Sequence, residues 1–285
     1  MLTAIQVNKS YRKKDILKGI DLKFKTGVHA LIGPNGAGKS TLLRILAGCE
    51  QLSHGEVMCD SLSLQVHPED YRAKIGYLPQ QFKIEGNITI EKFMDYAAVL
   101  KGLKKRKVRQ EEIERCLEAV GLTDRLNSKI KELSTGMVQR VGVAQALLDT
   151  PDILIVDEPT IGLDPSERIR FRELMNEYGK NRIVLLSTHI ASDITRNYSS
   201  VSVIKSGKIV FNGSTDELAQ LATNKVWAFT SPTPLPINKE QLLIRKTAQE
   251  LTYKILTSTP PSHAFPLEPT LMDGYLAIVR SSEYV

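Results

Sequence analysis

"GPNGAGKST", Gly33 to Thr41, follows the apolar run "VHALI" and runs into "LLRILAG". Read together, these stretches describe a buried strand, a glycine-rich turn and a helix. Gly33, Gly36 and Gly38 let the backbone fold tightly enough for successive N–H groups to converge on phosphate oxygens, and Lys39 adds a point charge. Pro34, Asn35 and Ala37 complete the loop, and Ser40 and Thr41 open the helix, whose unpaired N–H groups favour an anion. The Ser40 hydroxyl is placed to ligate magnesium. A glycine-rich turn between strand and helix is common, but the full pattern G-x-x-x-x-G-K-[ST] in this context points to a bound nucleotide.

A phosphate loop needs a second strand ending in a carboxylate, and "PDILIVDEPT" supplies one. Ile153 to Val156 read as a short buried strand, with Asp157 at its end as the expected magnesium contact. Glu158 follows as a candidate base for an attacking water. Paired acids there could simply cap the next helix; their combination with the loop favours chemistry.

The whole chain sets bounds on this site. With 285 residues, 42% hydrophobic and 25% charged, it has the composition of a globular protein large enough for a main domain and an appendage. No apolar run approaches the roughly 18 residues of a membrane span, and "MLTAIQVNKSYRKKD" lacks the pattern of a secretory signal. The expected location is therefore cytoplasmic, with any membrane role borrowed from a partner. Cys49, Cys59 and Cys116 have no metal-ligand spacing and read as reduced, mostly buried thiols. The net charge is +6, and the densest basic run is "KGLKKRKVR", Lys101 to Arg109. It reads as a solvated helix start, because Ile113, Leu117 and Val120 follow at helical spacing; nucleic acid is not an expected partner.

Strand-like runs at "TAIQV", "VHALI", "ILIVD", "RIVLLST" and "VSVIKSGKIVFNG" alternate with helical stretches, which predicts an α/β fold with a mostly parallel sheet covered by helices. From about Gln80 to Leu133 the strand signals vanish and an inserted helical subdomain is expected. Seven of the thirteen prolines lie beyond Thr223, which sets residues 224–285 apart from 1–223 as an accessory unit. Within it "KVWAFT" and "LTYKILT" read as strands and "EPTLMDGYLAIV" as a helix.

The loop and acids alone leave GTPases and small-molecule kinases open, although the guanine-reading string [NT]-K-x-D is absent. "LSTGMVQR" at Leu133 to Arg140, "YLPQ" ending at Gln80, "GLDP" at Gly162 to Pro165 and "STH" ending at His189 decide between them. With these motifs in this order, the chain resembles the ATP-binding cassette family over about Leu2 to Leu221. The resemblance implies a P-loop NTPase core with an antiparallel β subdomain and an inserted α-helical subdomain. It also implies ATP and Mg2+ as ligands. Tyr11 matches the aromatic that stacks on adenine, and Gln80 the glutamine that contacts magnesium and the attacking water. His189 matches the histidine that holds the γ-phosphate, and Asp164 the aspartate of the loop after the catalytic acid. Ser134 and Gly136 match signature residues that close over ATP held by a second subunit. Thr135 stands in place of a signature glycine and Met137 in place of a glutamine, so a side chain occupies a point of close backbone approach and the ribose loses a hydrogen-bonding partner.

By this resemblance, one chain holds half of each of two catalytic sites. A homodimer or a heterodimer with another cassette is implied, peripheral on the cytoplasmic face of a membrane and coupled to a separate transmembrane permease. The style of "LSTGMVQRVGVAQALL" and of the terminal "EPTLMDGYLAIV" is similar to exporter cassettes for drugs, antibiotics and bacteriocins. An importer subunit is the alternative, and a soluble cassette acting on ribosomes or DNA a more distant one. Phe82, beside Gln80, is the candidate contact for the membrane partner.

Overall fold

The computed structural model describes residues 1–12, 14–160, 162–188, 194, 197–231 and 251–280, with the backbone alone over 241–246. His189 lies outside the described residues. The central sheet has the strand order β10-β9-β3-β8-β7-β6, formed by β3 (Gly27–Ile32), β6 (Ile75–Leu78), β7 (Ile153–Asp157), β8 (Ile183–Thr188), β9 (Ser200–Lys205) and β10 (Lys208–Gly213). All neighbours are parallel except the β9–β10 hairpin at one edge.

The apolar runs follow from burial on both sheet faces. Along β7, Ile153 and Ile155 face a core shared with Leu31, Leu185 and the helix α1 (Lys39–Leu46). Leu154 and Val156 face the opposite core with Val184, Leu186, α5 (Thr135–Ala146) and α6 (Pro165–Gly179). Against the first face lies an antiparallel sheet of order β2-β1-β4-β5, made of β1 (Leu2–Tyr11), β2 (Lys14–Phe24), β4 (His54–Cys59) and β5 (Leu62–Ser63). The helix α2 (Pro68–Ala73) leads from it into β6. The expected α/β class, with its mostly parallel sheet and antiparallel β subdomain, is thus observed.

After β6 the chain becomes helical. In α3 (Ile90–Leu100), Thr89 caps the N-terminus by accepting from the Lys92 N–H, and Ile90, Met94, Ala97 and Ala98 form the buried face. The helix α4 (Arg106–Ala119) buries Ile113 and Leu117, with Val120 just beyond it. The basic run before it is partly consumed by structure: Lys101 Nζ donates to the Ile75 carbonyl at 2.6 Å and Arg109 Nε to Asp95 at 2.6 Å. Cys59 and Cys116 are buried and Cys49 is exposed, all three as free thiols, which agrees with the expected mostly buried set.

Beyond α7 (Thr215–Gln220), β11 (Val226–Ser231), β12 (Gln241–Lys246), β13 (Leu251–Leu256) and β14 (Phe265–Pro266) form an antiparallel sheet of order β12-β13-β11-β14. Its closing helix, α8 (Leu271–Arg280), returns to the cassette. Leu271, Tyr275, Ile278 and Val279 pack on the same core as α5 and α6. At Gly274 a Cβ would stand 1.7 Å from the Leu218 carbonyl oxygen, so only glycine permits this crossing of α8 over α7. The prolines of the tail suggest a loose linker; in the fold, its end is fastened down. Among the described residues, no helix is long and apolar enough to cross a membrane.

Candidate active site

The parallel sheet delivers the candidate residues to one edge. Ile32 pairs with Thr188, Asp157 with Ser187, and Leu78 with Val156. The phosphate loop after β3, Asp157 and Glu158 at the end of β7, and Gln80 after β6 therefore leave neighbouring strand ends in the same direction. The carboxyl end of a parallel sheet is where such folds bind ligands.

The loop is shaped by two glycines. A Cβ at Gly33 would lie 2.2 Å from the Ile204 carbonyl oxygen, and Gly38 has φ 111° at the N-cap of α1. No side chain caps that helix, so its first N–H groups remain directed toward the loop. Pro34 accepts from the Ala37 N–H at 3.2 Å, and Ala37 in turn accepts from the Gly207 N–H at 3.0 Å. The loop is thereby braced against the β9–β10 turn. Lys39 is 7% exposed, and its ammonium donates to the Gly33 carbonyl at 2.8 Å while lying 3.7 Å from Glu158 Oε1. Burial pulls the Lys39 pKa below its ordinary value, against the opposing charges of Glu158 and Asp157.

Asp157 and Glu158 are almost fully buried. Ser187 Oγ donates to Asp157 Oδ1 at 2.5 Å and accepts from the Glu158 N–H at 2.9 Å, fixing both acids from β8. Glu158 has φ 51°, a strained value for a residue with a side chain, of the kind that collects at functional sites. Ser187 was not among the expected site residues; its signal was the "STH" string, where attention falls on the histidine. The available donors, the Ser40 hydroxyl, the Asp157 carboxylate and the Gln80 amide, are hard oxygen ligands that fit magnesium shared with phosphates and water. Among the described residues no cluster of three or more His, Cys, Asp or Glu could hold a metal alone.

The signature residues lie elsewhere. Ser134 caps α5 by accepting from the Met137 N–H at 3.2 Å, and a Cβ at Gly136 would lie 2.7 Å from Glu167 Oε2. Asp164 caps α6, accepting from the Glu167 N–H at 2.8 Å, while Glu167 accepts in return from the Asp164 N–H at 3.2 Å. Donation from the Glu167 N–H, and next from the Ser166 hydroxyl, holds the Asp164 carboxyl below the usual range. Arg140 joins the two helices through Glu167 at 3.2 Å. Ser134, Gly136 and Asp164 are thus gathered into a second cluster. Among the described residues, no hydrogen bond or ion pair ties Ser134 or Gly136 to the phosphate loop.

Tyr11 ends β1, is 41% exposed, and donates its hydroxyl to Glu50. Phe82 is half-buried and packs edge-on against Phe93, with centroids 5.9 Å apart. This contact gives Phe82 a local packing role beside the partner contact expected of it.

Strand, glycine cradle, buried lysine and strand-end acids together define a nucleoside-triphosphate-binding protein of the phosphate-loop class. The family model for ABC transporters matches residues 17–161. The uncharacterized ABC transporter ATP-binding protein YxlF of Bacillus subtilis is 38% identical over 231 residues, 81% of this chain and 76% of that protein. The lantibiotic transport ATP-binding protein SrtF of Streptococcus pyogenes is 32% identical over 232 residues, 79% of this chain and 97% of that protein. A dimeric post-hydrolysis structure of the ATP-binding cassette MJ0796, bound to ADP and Pi, superposes with a TM-score of 0.69 at 27% identity. That alignment covers 75% of this chain and 98% of the cassette. The chain belongs to the ABC transporter family, as its cassette and not its membrane-spanning part, and it is an ATPase.

Proposed function

We propose that this chain powers an exporter by pairing head to tail around two Mg-ATP and passing the resulting closure and opening to a separate transmembrane subunit. The observation that carries this reading is the separation of the two clusters: the phosphate loop and acids share one sheet edge, while Ser134, Gly136 and Asp164 stand apart at two helix starts. A second cassette, a copy of this chain or a related subunit, would bring its Ser134 and Gly136 to the γ-phosphate and its Asp164 to the seam. The dimeric structure of MJ0796 supports the pairing, and SrtF, named for lantibiotic transport, supports an exported cargo. The terminal helix in exporter style points the same way. Such a subunit would sit peripherally on the cytoplasmic face, held by its membrane partner. Residues 224–285 form an accessory unit to the cassette at 1–223 in this reading.

Within each half-site, Lys39 and the loop N–H groups bind the β- and γ-phosphates, and Tyr11 stacks on the base. Magnesium, held by Ser40, Asp157 and Gln80, would neutralise charge on the phosphates. Glu158 orients a water and takes its proton, helped by Gln80; His189 contacts the γ-phosphate. Burial and the Ser187 bonds hold Glu158 in place, so no reorganisation is needed as the proton moves.

Glu158→Gln tests this directly. The variant is expected to bind ATP within about twofold of the parent but to hydrolyse it about a hundredfold more slowly or worse. A stable dimer then accumulates with Mg-ATP and is read by sedimentation. Hydrolysis at the parent rate would remove Glu158 from the chemistry, and a monomer at saturating ATP would count against head-to-tail pairing.

A further inference from the structure

Lys9, Tyr11, Arg44 and Glu50 form a polar cluster where β1 meets the end of α1. The Glu50 carboxylate accepts from the Tyr11 hydroxyl, accepts from Arg44 Nε at 2.9 Å, and lies 3.1 Å from Lys9 Nζ. Arg44 Nη2 is 3.4 Å from both Tyr11 Oη and Thr41 Oγ1, so one guanidinium spans the aromatic and the phosphate-loop helix. Lys9 Nζ stands 4.9 Å from the Tyr11 ring centroid and covers one face by cation–π contact. The Glu50 side chain is only 15% exposed, against 41% for Tyr11. Burial acts to raise the Glu50 carboxyl, but the bonds from Tyr11, Arg44 and Lys9 outweigh it and hold the group below its ordinary value.

A half-exposed tyrosine at a strand end would otherwise exchange rotamers freely. Here its hydroxyl is anchored by a charge-assisted bond and one ring face is covered, leaving an oriented ring with a free side. We propose that Glu50 is a positioning residue for the nucleotide base: it locks the Tyr11 ring to α1, so that base and phosphates are received at a fixed separation. This rests on the reading of Tyr11 as the stacking partner and deepens it. Because the ring is already ordered, less freedom is lost when the base binds. Stacking tolerates any base, so the tether favours nucleotides over bare polyphosphate without choosing among purines.

The test uses the full chain and two probes, Mg-ATP and Mg-tripolyphosphate, which carries the charge without a base. Glu50→Ala is expected to weaken ATP binding about three- to tenfold, the worth of one oriented hydrogen bond, and to leave tripolyphosphate binding unchanged. KM for ATP rises while kcat holds. Glu50→Gln, whose amide oxygen still accepts from Tyr11, restores most of the affinity. Tyr11→Ala weakens ATP at least as much, and adding Glu50→Ala to it changes nothing further. If Glu50→Ala does not fold, Tyr11→Phe keeps the ring and cuts the tether, with the same loss expected for ATP alone. Equal weakening of both probes by Glu50→Ala overturns the proposal, as does unchanged ATP affinity in Glu50→Ala or Tyr11→Phe when Tyr11→Ala loses it. Unchanged ATP affinity in Tyr11→Ala overturns the stacking role itself, and the tether with it.

Discussion

At the phosphate loop, Lys39 is buried against the Gly33 carbonyl and Glu158, and both strand-end acids are pinned by Ser187. At the start of α5, Ser134 and Thr135 are exposed, and the Ser134 hydroxyl is occupied with capping its own helix. The first region is finished within one chain. Its charges are desolvated, its backbone is strained at Glu158, and its geometry is braced from β8, β9 and the β9–β10 turn. The second is a surface whose groups are oriented by the Arg140–Glu167 tie, with no hydrogen bond or ion pair among the described residues linking Ser134 or Gly136 to the phosphate loop. Under the proposed head-to-tail pairing, such a division would make binding a property of the single chain and turnover a property of the pair.

The largest expected effect falls on the finished side. Lys39→Ala removes the ammonium proposed to meet the β- and γ-phosphates, and ATP affinity should fall about a hundredfold or more by calorimetry with magnesium present. Folding stability should fall as well, because the buried Glu158 and Asp157 lose their neighbouring cation, so the affinity is read on protein shown to be folded. An unchanged affinity would mean that the loop carbonyls, not the phosphates, are what Lys39 serves.

Legibility followed the same division. The phosphate loop, the acids and the strands "VHALI", "ILIVD" and "RIVLLST" are contiguous signals, buried on both faces, and were readable from local pattern. The strand β2 was not: its buried Leu17, Ile20, Leu22 and Phe24 break strict alternation, and register shifts in the β1–β2 ladder account for the uneven spacing. Ser187 was hidden because its partners come from another strand. The return of α8 depends on Gly274 meeting the Leu218 carbonyl, a contact no local window contains. The packing of Phe82 was equally non-local, since Phe93 and Gly142 lie beyond any pattern around "YLPQQF".

A middle-sized effect is expected where the surface side is braced. Arg140 Nη2 pairs with Glu167, Arg140 Nη1 donates to the Val120 and Gly121 carbonyls at 3.1 and 3.3 Å, and Glu167 closes the cap of α6. Arg140→Ala leaves a largely buried carboxylate beside Gly136 and two carbonyls without their donor. The cost should be about 1–3 kcal/mol of stability by denaturant melting. ATP affinity of the isolated chain should stay within about twofold, while Mg-ATP-driven dimerisation weakens about tenfold. A matching fall in ATP affinity would show that the two regions are coupled inside one chain, and the contrast drawn between them would fail.

The smallest effect concerns Thr135 itself, the residue that stands where a glycine is usual in the signature. It is the first residue of α5 and exposed, and its Cγ2 would lie 3.3 Å from a Cβ built at Gly162. The side chain therefore leans toward the loop before α6 of its own chain. Replacing it with glycine frees the helix N-terminus for closer approach of a phosphate from a second subunit. The same change loosens the first turn of α5, a cost of about 0.5–1 kcal/mol at most for glycine in a helix. These terms oppose each other, so Thr135→Gly should strengthen ATP-induced pairing by only about two- to threefold, with ATP binding to the single chain untouched. Sedimentation at matched protein concentration reads the first and calorimetry the second. Weaker pairing would place the threonine methyl inside the closed contact, and the exposed cluster would then be shaped for this residue and not merely tolerant of it.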